Sequence, residues 1–107
     1  MVLEQEIVRI IETITQAIPV ARIYLFGSYA RNTPGENSDY DFFIVIPDGD
    51  LRPLEATQKA RRALSTLNRK TPVDILADYQ SRFDERKQFN TLERRVWNEG
   101  VVLYERK

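Results

Sequence analysis

The chain has 107 residues, 42% of them apolar, with 16 Lys and Arg against 16 Asp and Glu and so no net charge. That suits one folded domain, residues 1–107, without the basic excess that would hold it to nucleic acid or an anionic membrane. With no Cys and no His, disulfides, thiolate or imidazole zinc sites and His-based triads are excluded, and any metal must be a hard cation such as Mg²⁺ held through oxygen.

The opening Met-Val-Leu-Glu-Gln-Glu carries acids where a secretory leader carries bases, and no apolar run reaches membrane-spanning length; a soluble, cytoplasmic protein is expected. Leu3, Ile7, Ile10, Ile11, Ile14 and Ile18 recur at steps of three and four residues, which predicts an amphipathic helix ended by Pro19. Residues 22–26, Arg-Ile-Tyr-Leu-Phe, are rich in β-branched and aromatic side chains and predict a buried strand stopping at Gly27. Tyr29-Ala30-Arg31 can start a helical turn, and residues 32–38, dense in turn formers, predict a surface loop. Phe42-Phe43-Ile44-Val45-Ile46 predicts a second strand with both faces apolar.

Pro53 suits the first position of a helix, whose apolar face is formed by Leu54, Ala60, Ala63, Leu64 and Leu67 and fades before Thr71-Pro72. Val73-Asp74-Ile75-Leu76-Ala77 predicts a third strand. Residues 81–88 read as a charged helix, and Asn90-Thr91 as the break that caps another. That last helix turns Leu92, Val96 and Trp97 to the core and ends at Gly100, before a short strand at 101–104. The order of elements is that of a small α/β sheet with helices on one or both faces.

Three features bear on chemistry. Gly27-Ser28 closes a strand and leads into a helical turn, where a bare backbone, free N–H groups and a hydroxyl suit a phosphate; taken alone it reads first as an ordinary strand-to-helix turn. Asp39 and Asp41 flank Tyr40 at the mouth of an apolar strand, where alternate residues project to one side. Two carboxylates about 5 Å apart repel by roughly 3 kcal/mol at an effective dielectric near 20, which a divalent cation would reverse. The alternative is a solvated turn that merely stops the strand. Asp74 interrupts an otherwise apolar strand, and a charge buried there is costly unless paired or metal-bound. If its strand lies beside that of Asp41 the three acids meet on one face; otherwise it reaches solvent or an Arg at a strand edge.

Taken together, Gly27-Ser28, ten intervening residues, Asp39-Tyr40-Asp41 and a later Asp74 resemble the nucleotidyltransferase superfamily of the DNA polymerase β type, and within it the minimal nucleotidyltransferases. Gly27-Ser28-Tyr29-Ala30-Arg31, Ser38-Asp39-Tyr40-Asp41-Phe42, Val73-Asp74-Ile75-Leu76 and the ending Gly100-Val101-Val102-Leu103-Tyr104-Glu105 carry the likeness, which spans residues 3–105. Asn32 departs from it, standing where many members have Gly, but removes no ligand. The resemblance implies a polymerase β-like fold, α/β (α+β), with a small mixed four-stranded sheet and flanking helices.

It also implies that Gly27 and Ser28 hold the β- and γ-phosphates of a nucleoside triphosphate, ATP by preference. Asp39 and Asp41 would ligate two Mg²⁺ ions, with Asp74 as a third ligand and proton acceptor. Arg31 either touches the triphosphate or faces solvent. Such minimal proteins serve as antitoxins of helical ribonuclease toxins of the HEPN type, bound in hetero-oligomers and modified by AMP transfer to a tyrosine. The alternatives are transfer to a small molecule or an RNA 3′ end, and a binding module that neutralises a partner by occlusion. The basic residues Arg61, Arg62, Arg69 and Lys70, and Arg82, Arg86, Lys87, Arg94 and Arg95, are either solvated helix faces or a docking surface for the acceptor.

Overall fold

The computed structural model describes residues 5–31 and 39–106. In chain order these form α1 (Gln5–Ala17), β1 (Arg22–Phe26), α2 (Gly27–Ala30), β2 (Tyr40–Ile46), α3 (Pro53–Leu64), β3 (Val73–Tyr79), α4 (Gln80–Arg86), α5 (Leu92–Glu99) and β4 (Val101–Glu105). Leu3 and the loop expected at 32–38, with Asn32 and Ser38, lie outside the described residues. The strands make one mixed sheet in the order β3-β2-β1-β4. β1 is antiparallel to β2 and β4, while β2 and β3 are parallel. A parallel pair needs a crossover connection, and α3 lies in it.

Alternation along the central strands sends side chains to two faces. Ile23, Leu25, Phe42 and Ile44 join Ile10 and Ile14 of α1 and Ala60 and Leu64 of α3 in the larger core. Tyr24, Phe43 and Val45 point the other way, onto Phe83 of α4 and Val96 of α5. Helices therefore cover both faces, and the unbroken apolar run of β2 follows from burial on both sides. Among the described residues no helix is long and apolar enough to cross a membrane.

Helix phase departs from expectation in two helices. Leu54 is 69% exposed, because Ala56, Ala60 and Leu64 form the inward face and two residues turn a helix by about 200°. On α5, Leu92 and Trp97 face solvent, and Glu93 is buried beside Val96 instead. Burial of Glu93 is tolerated because Arg86 Nε donates to its Oε2 at 2.7 Å. Thr91 caps α5 by accepting from the Arg94 N–H. Gly100 ends that helix with extended rather than left-handed backbone, and glycine is required there because a Cβ would overlap the Val96 carbonyl oxygen.

The second layer is fastened by Arg22. Its guanidinium donates to Tyr24 Oη at 2.9 Å and to Asp84 Oδ1 at 2.8 Å, and lies 5.3 Å from the centre of the Phe83 ring. Phe83 in turn stacks on Tyr24 and tilts against Phe43, at 5.3 and 5.2 Å. Phe83→Ala should therefore lower the unfolding free energy in urea by about 3–5 kcal/mol. Leu54→Ala, at the exposed position, should change it by less than about 0.5 kcal/mol.

Candidate active site

Antiparallel pairing brings the end of β1 against the start of β2, with Phe26 opposite Asp41. Gly27, the next residue, has φ of 75°, a region that L side chains rarely enter. A Cβ added there would also overlap the Asp41 carboxylate. The left-handed backbone thus demands glycine, and any Cβ would in addition have to displace the Asp41 carboxylate. From it springs α2, a single turn carrying Ser28, whose end is closed by the Arg31 N–H donating to the Gly27 carbonyl at 3.1 Å.

Parallel pairing on the other side places Asp41 opposite Asp74 in exact step with Tyr40 opposite Val73. Neighbouring strands run roughly 4.8 Å apart, and residues in register project to the same side. Both acids therefore leave the sheet on the α4 and α5 face, near strand starts where Leu76 is also exposed. The Tyr40 N–H donates to the Pro72 carbonyl at 3.0 Å, tying the two starts together. Ahead of β3, the Glu6 carboxylate accepts from the Lys70 and Thr71 N–H groups at 2.9 and 3.3 Å. The Lys70 bond is the main cause holding the Glu6 carboxyl below its ordinary range.

Burial, then the charge of Asp74, then that of Asp39 push the Asp41 carboxyl above its ordinary value; Arg31 pulls it back by the smallest effect. Asp39, Asp41 and Asp74 are thus brought into one electrostatic neighbourhood, with Arg31 at its rim. The cost of burial falls elsewhere than expected. Asp74 is exposed and Asp41 half-buried, because β3 is an edge strand and Asp74 points away from the core that Ile75 enters.

Among the described residues no three acidic side chains stand together as a ready-made metal cage. The donors nonetheless fit a hard cation in kind: they are carboxylate oxygens, crowded by register and scarcely neutralised. Most of the basic residues are engaged elsewhere. Arg86 pairs with Glu93, Lys87 with Asp84 and Arg82 with Asp78, while Arg61 donates to the Ile75 carbonyl and Arg69 to that of Thr71. Lys70, Arg62, Arg94 and Arg95 are exposed. The two motifs also touch through residues to which their spacing assigned no role. The rings of Tyr29 and Tyr40 lie 4.5 Å apart, and the signal in the sequence is an aromatic residue inside each motif.

The family model for the nucleotidyltransferase domain matches residues 5–102. Solved structures agree in fold. A toxin–antitoxin with AMP-PNP is 27% identical, with 97% of this chain and 76% of that chain covered and a TM-score of 0.61. A mutant of the toxin–antitoxin MntA-HpeT is 25% identical, with 99% and 76% covered and a TM-score of 0.64. A candidate nucleotidyltransferase of Sulfolobus solfataricus, 18% identical, covers 95% and 79% with a TM-score of 0.66 and shares the fold. No curated protein matches the chain.

The raised Asp41 carboxyl makes its ionisation work against folding. The folded chain holds that proton more tightly than the unfolded one, so the penalty is absent below the unfolded value and sets in as pH rises through the folded one. In EDTA at pH 7, Asp41→Asn should melt higher than the parent, and the gain should disappear below about pH 4. Mg²⁺ should raise the melting temperature of the parent and not that of the variant. A variant that melts lower in EDTA would mean that a partner already compensates Asp41.

Proposed function

The chain belongs to the nucleotidyltransferase domain family, and from that premise we propose that it is a Mg²⁺-dependent enzyme transferring AMP from ATP to a tyrosine of a HEPN-type toxin, whose antitoxin it is. The observation that carries the nucleotidyl-transfer part is the shared register: Phe26 against Asp41 and Asp41 against Asp74, with the Gly27 backbone laid on the Asp41 carboxylate. The partner is supported by the likeness to the toxin–antitoxin solved with AMP-PNP.

In this reading Gly27 and Ser28 hold the β- and γ-phosphates, and Arg31, within electrostatic reach of Asp41, adds positive charge beside the triphosphate. Asp39, Asp41 and Asp74 hold two Mg²⁺ ions, which when bound acidify the attacking hydroxyl and neutralise the departing pyrophosphate. Asp74 accepts the proton of the attacking hydroxyl, and its exposure on the sheet edge leaves room for a macromolecular acceptor. Asp41 spans the two halves of the site, next to the phosphate-holding turn on one side and the proton acceptor on the other. The chemistry asks for no imidazole, in keeping with a chain that has none.

The test is incubation with labelled ATP, Mg²⁺ and the product of the adjacent gene, followed by mass spectrometry of both proteins. AMP on a partner tyrosine is expected, whereas label on RNA or a small molecule would reassign the acceptor. Asp39→Asn and Asp41→Asn should each lower transfer by roughly 10²–10³-fold or more, and Asp39→Asn should still co-purify with the partner. Near-normal transfer by either folded variant would overturn the two-metal site. Ser28→Ala should raise the KM for ATP by roughly tenfold or more, the worth of one hydrogen bond to a charged phosphate.

A further inference from the structure

A four-residue helix such as α2 cannot hold its own shape, since a first helical turn fixes several backbone angles for one hydrogen bond. Its N-cap, Phe26, provides no side-chain capping bond. Its position therefore depends on what its side chains grip. Tyr29 and Ala30 both pack against the larger core, and the Tyr29 ring meets the ring of Tyr40 at 4.5 Å and 51°. Tyr40 is itself 1% exposed and is backed by Phe42, 6.0 Å away.

Tyr40 stands between Asp39 and Asp41, and strand alternation sends its ring to the face opposite Asp41. The turn thus grips the start of β2 from both sides: the Gly27 backbone abuts the Asp41 carboxylate on one face, and Tyr29 meets Tyr40 on the other. We infer that Tyr29 and Tyr40 are a positioning pair whose ring contact sets the spacing between the turn of Gly27 and Ser28 and the strand of Asp39 and Asp41. The catalytic consequence rests on the proposed nucleotidyl transfer: a triphosphate held by the turn must present its α-phosphate to the carboxylate end. A misplacement of about 1 Å there costs on the order of 10²-fold in rate.

Tyr29 is only half-buried, so Tyr29→Ala can fold where truncation of Tyr40 would open the core. The experiment compares the parent, Tyr29→Ala, Tyr29→Phe and Ile14→Val, the last a core truncation in α1, at a temperature where all are folded. Three quantities are read: hydrogen exchange of the amides of residues 27–31, affinity for AMP-PNP with Mg²⁺, and kcat and KM for ATP. Tyr29→Ala should speed exchange in residues 27–31, weaken AMP-PNP binding, and lower kcat/KM by roughly ten- to a hundredfold, with kcat falling as well as KM rising. Tyr29→Phe keeps the ring contact and should stay within about twofold of the parent. Ile14→Val should melt lower but leave all three quantities unchanged.

Unchanged exchange and AMP-PNP affinity in Tyr29→Ala, or an equal loss in Ile14→Val, would overturn the positioning pair. A parent that transfers no nucleotide to any acceptor would refute the proposed activity alone. Exchange and AMP-PNP binding then decide the pair by themselves.

Discussion

Everything at the active end of this protein depends on a contact between backbone and carboxylate. The antiparallel register of β1 and β2 sets Phe26 opposite Asp41, so the residue after Phe26 must share space with the Asp41 side chain. A Cβ there would have to push the carboxylate aside, and the chain must also turn there into a left-handed conformation that favours glycine. Gly27 meets both demands. The same approach brings the backbone of the turn beside an acidic group, so the two motifs meet at one end of the sheet.

The electrostatics follow from topology. Parallel pairing of β2 with β3 lays Asp74 next to Asp41, and Asp39 adds a third charge at the strand mouth. Burial and these neighbours raise the Asp41 carboxyl, and Arg31 offsets them least. A chain under structural demands alone would gain by removing one of these charges. Keeping all three in the folded state is a local sacrifice of stability, of the kind that clusters at functional sites.

The rest of the fold gives the site a rigid frame. The larger core binds α1 and α3 to one sheet face, while Arg22, Tyr24 and Phe83 fasten α4 to the other. β3 stays at the edge, so the strand that carries Asp74 keeps one side open. That openness separates Asp74 from Asp41 in character: Asp41 is enclosed between strands, and Asp74 faces the exterior.

Much of this was legible in the amino-acid order. Apolar periodicity and turn formers located each of the four strands among the described residues and the long helices, since burial on both sheet faces leaves continuous Ile, Val and Phe runs. Gly27-Ser28 and the acids at 39, 41 and 74 stood out because each breaks the pattern around it. Side-chain direction was less accessible. Leu54, Leu92 and Trp97 are apolar yet face outward, and Glu93 is charged yet buried, because helix phase depends on which neighbours offer contact and Arg86 offers Glu93 an ion pair. Residue order alone likewise leaves open which strand neighbours which, and Asp74 could not be assigned to an exposed edge before the sheet order was known. Local chemistry and periodicity are written along the chain, whereas register, edge position and the meeting of Tyr29 with Tyr40 arise only when segments distant in sequence pack together.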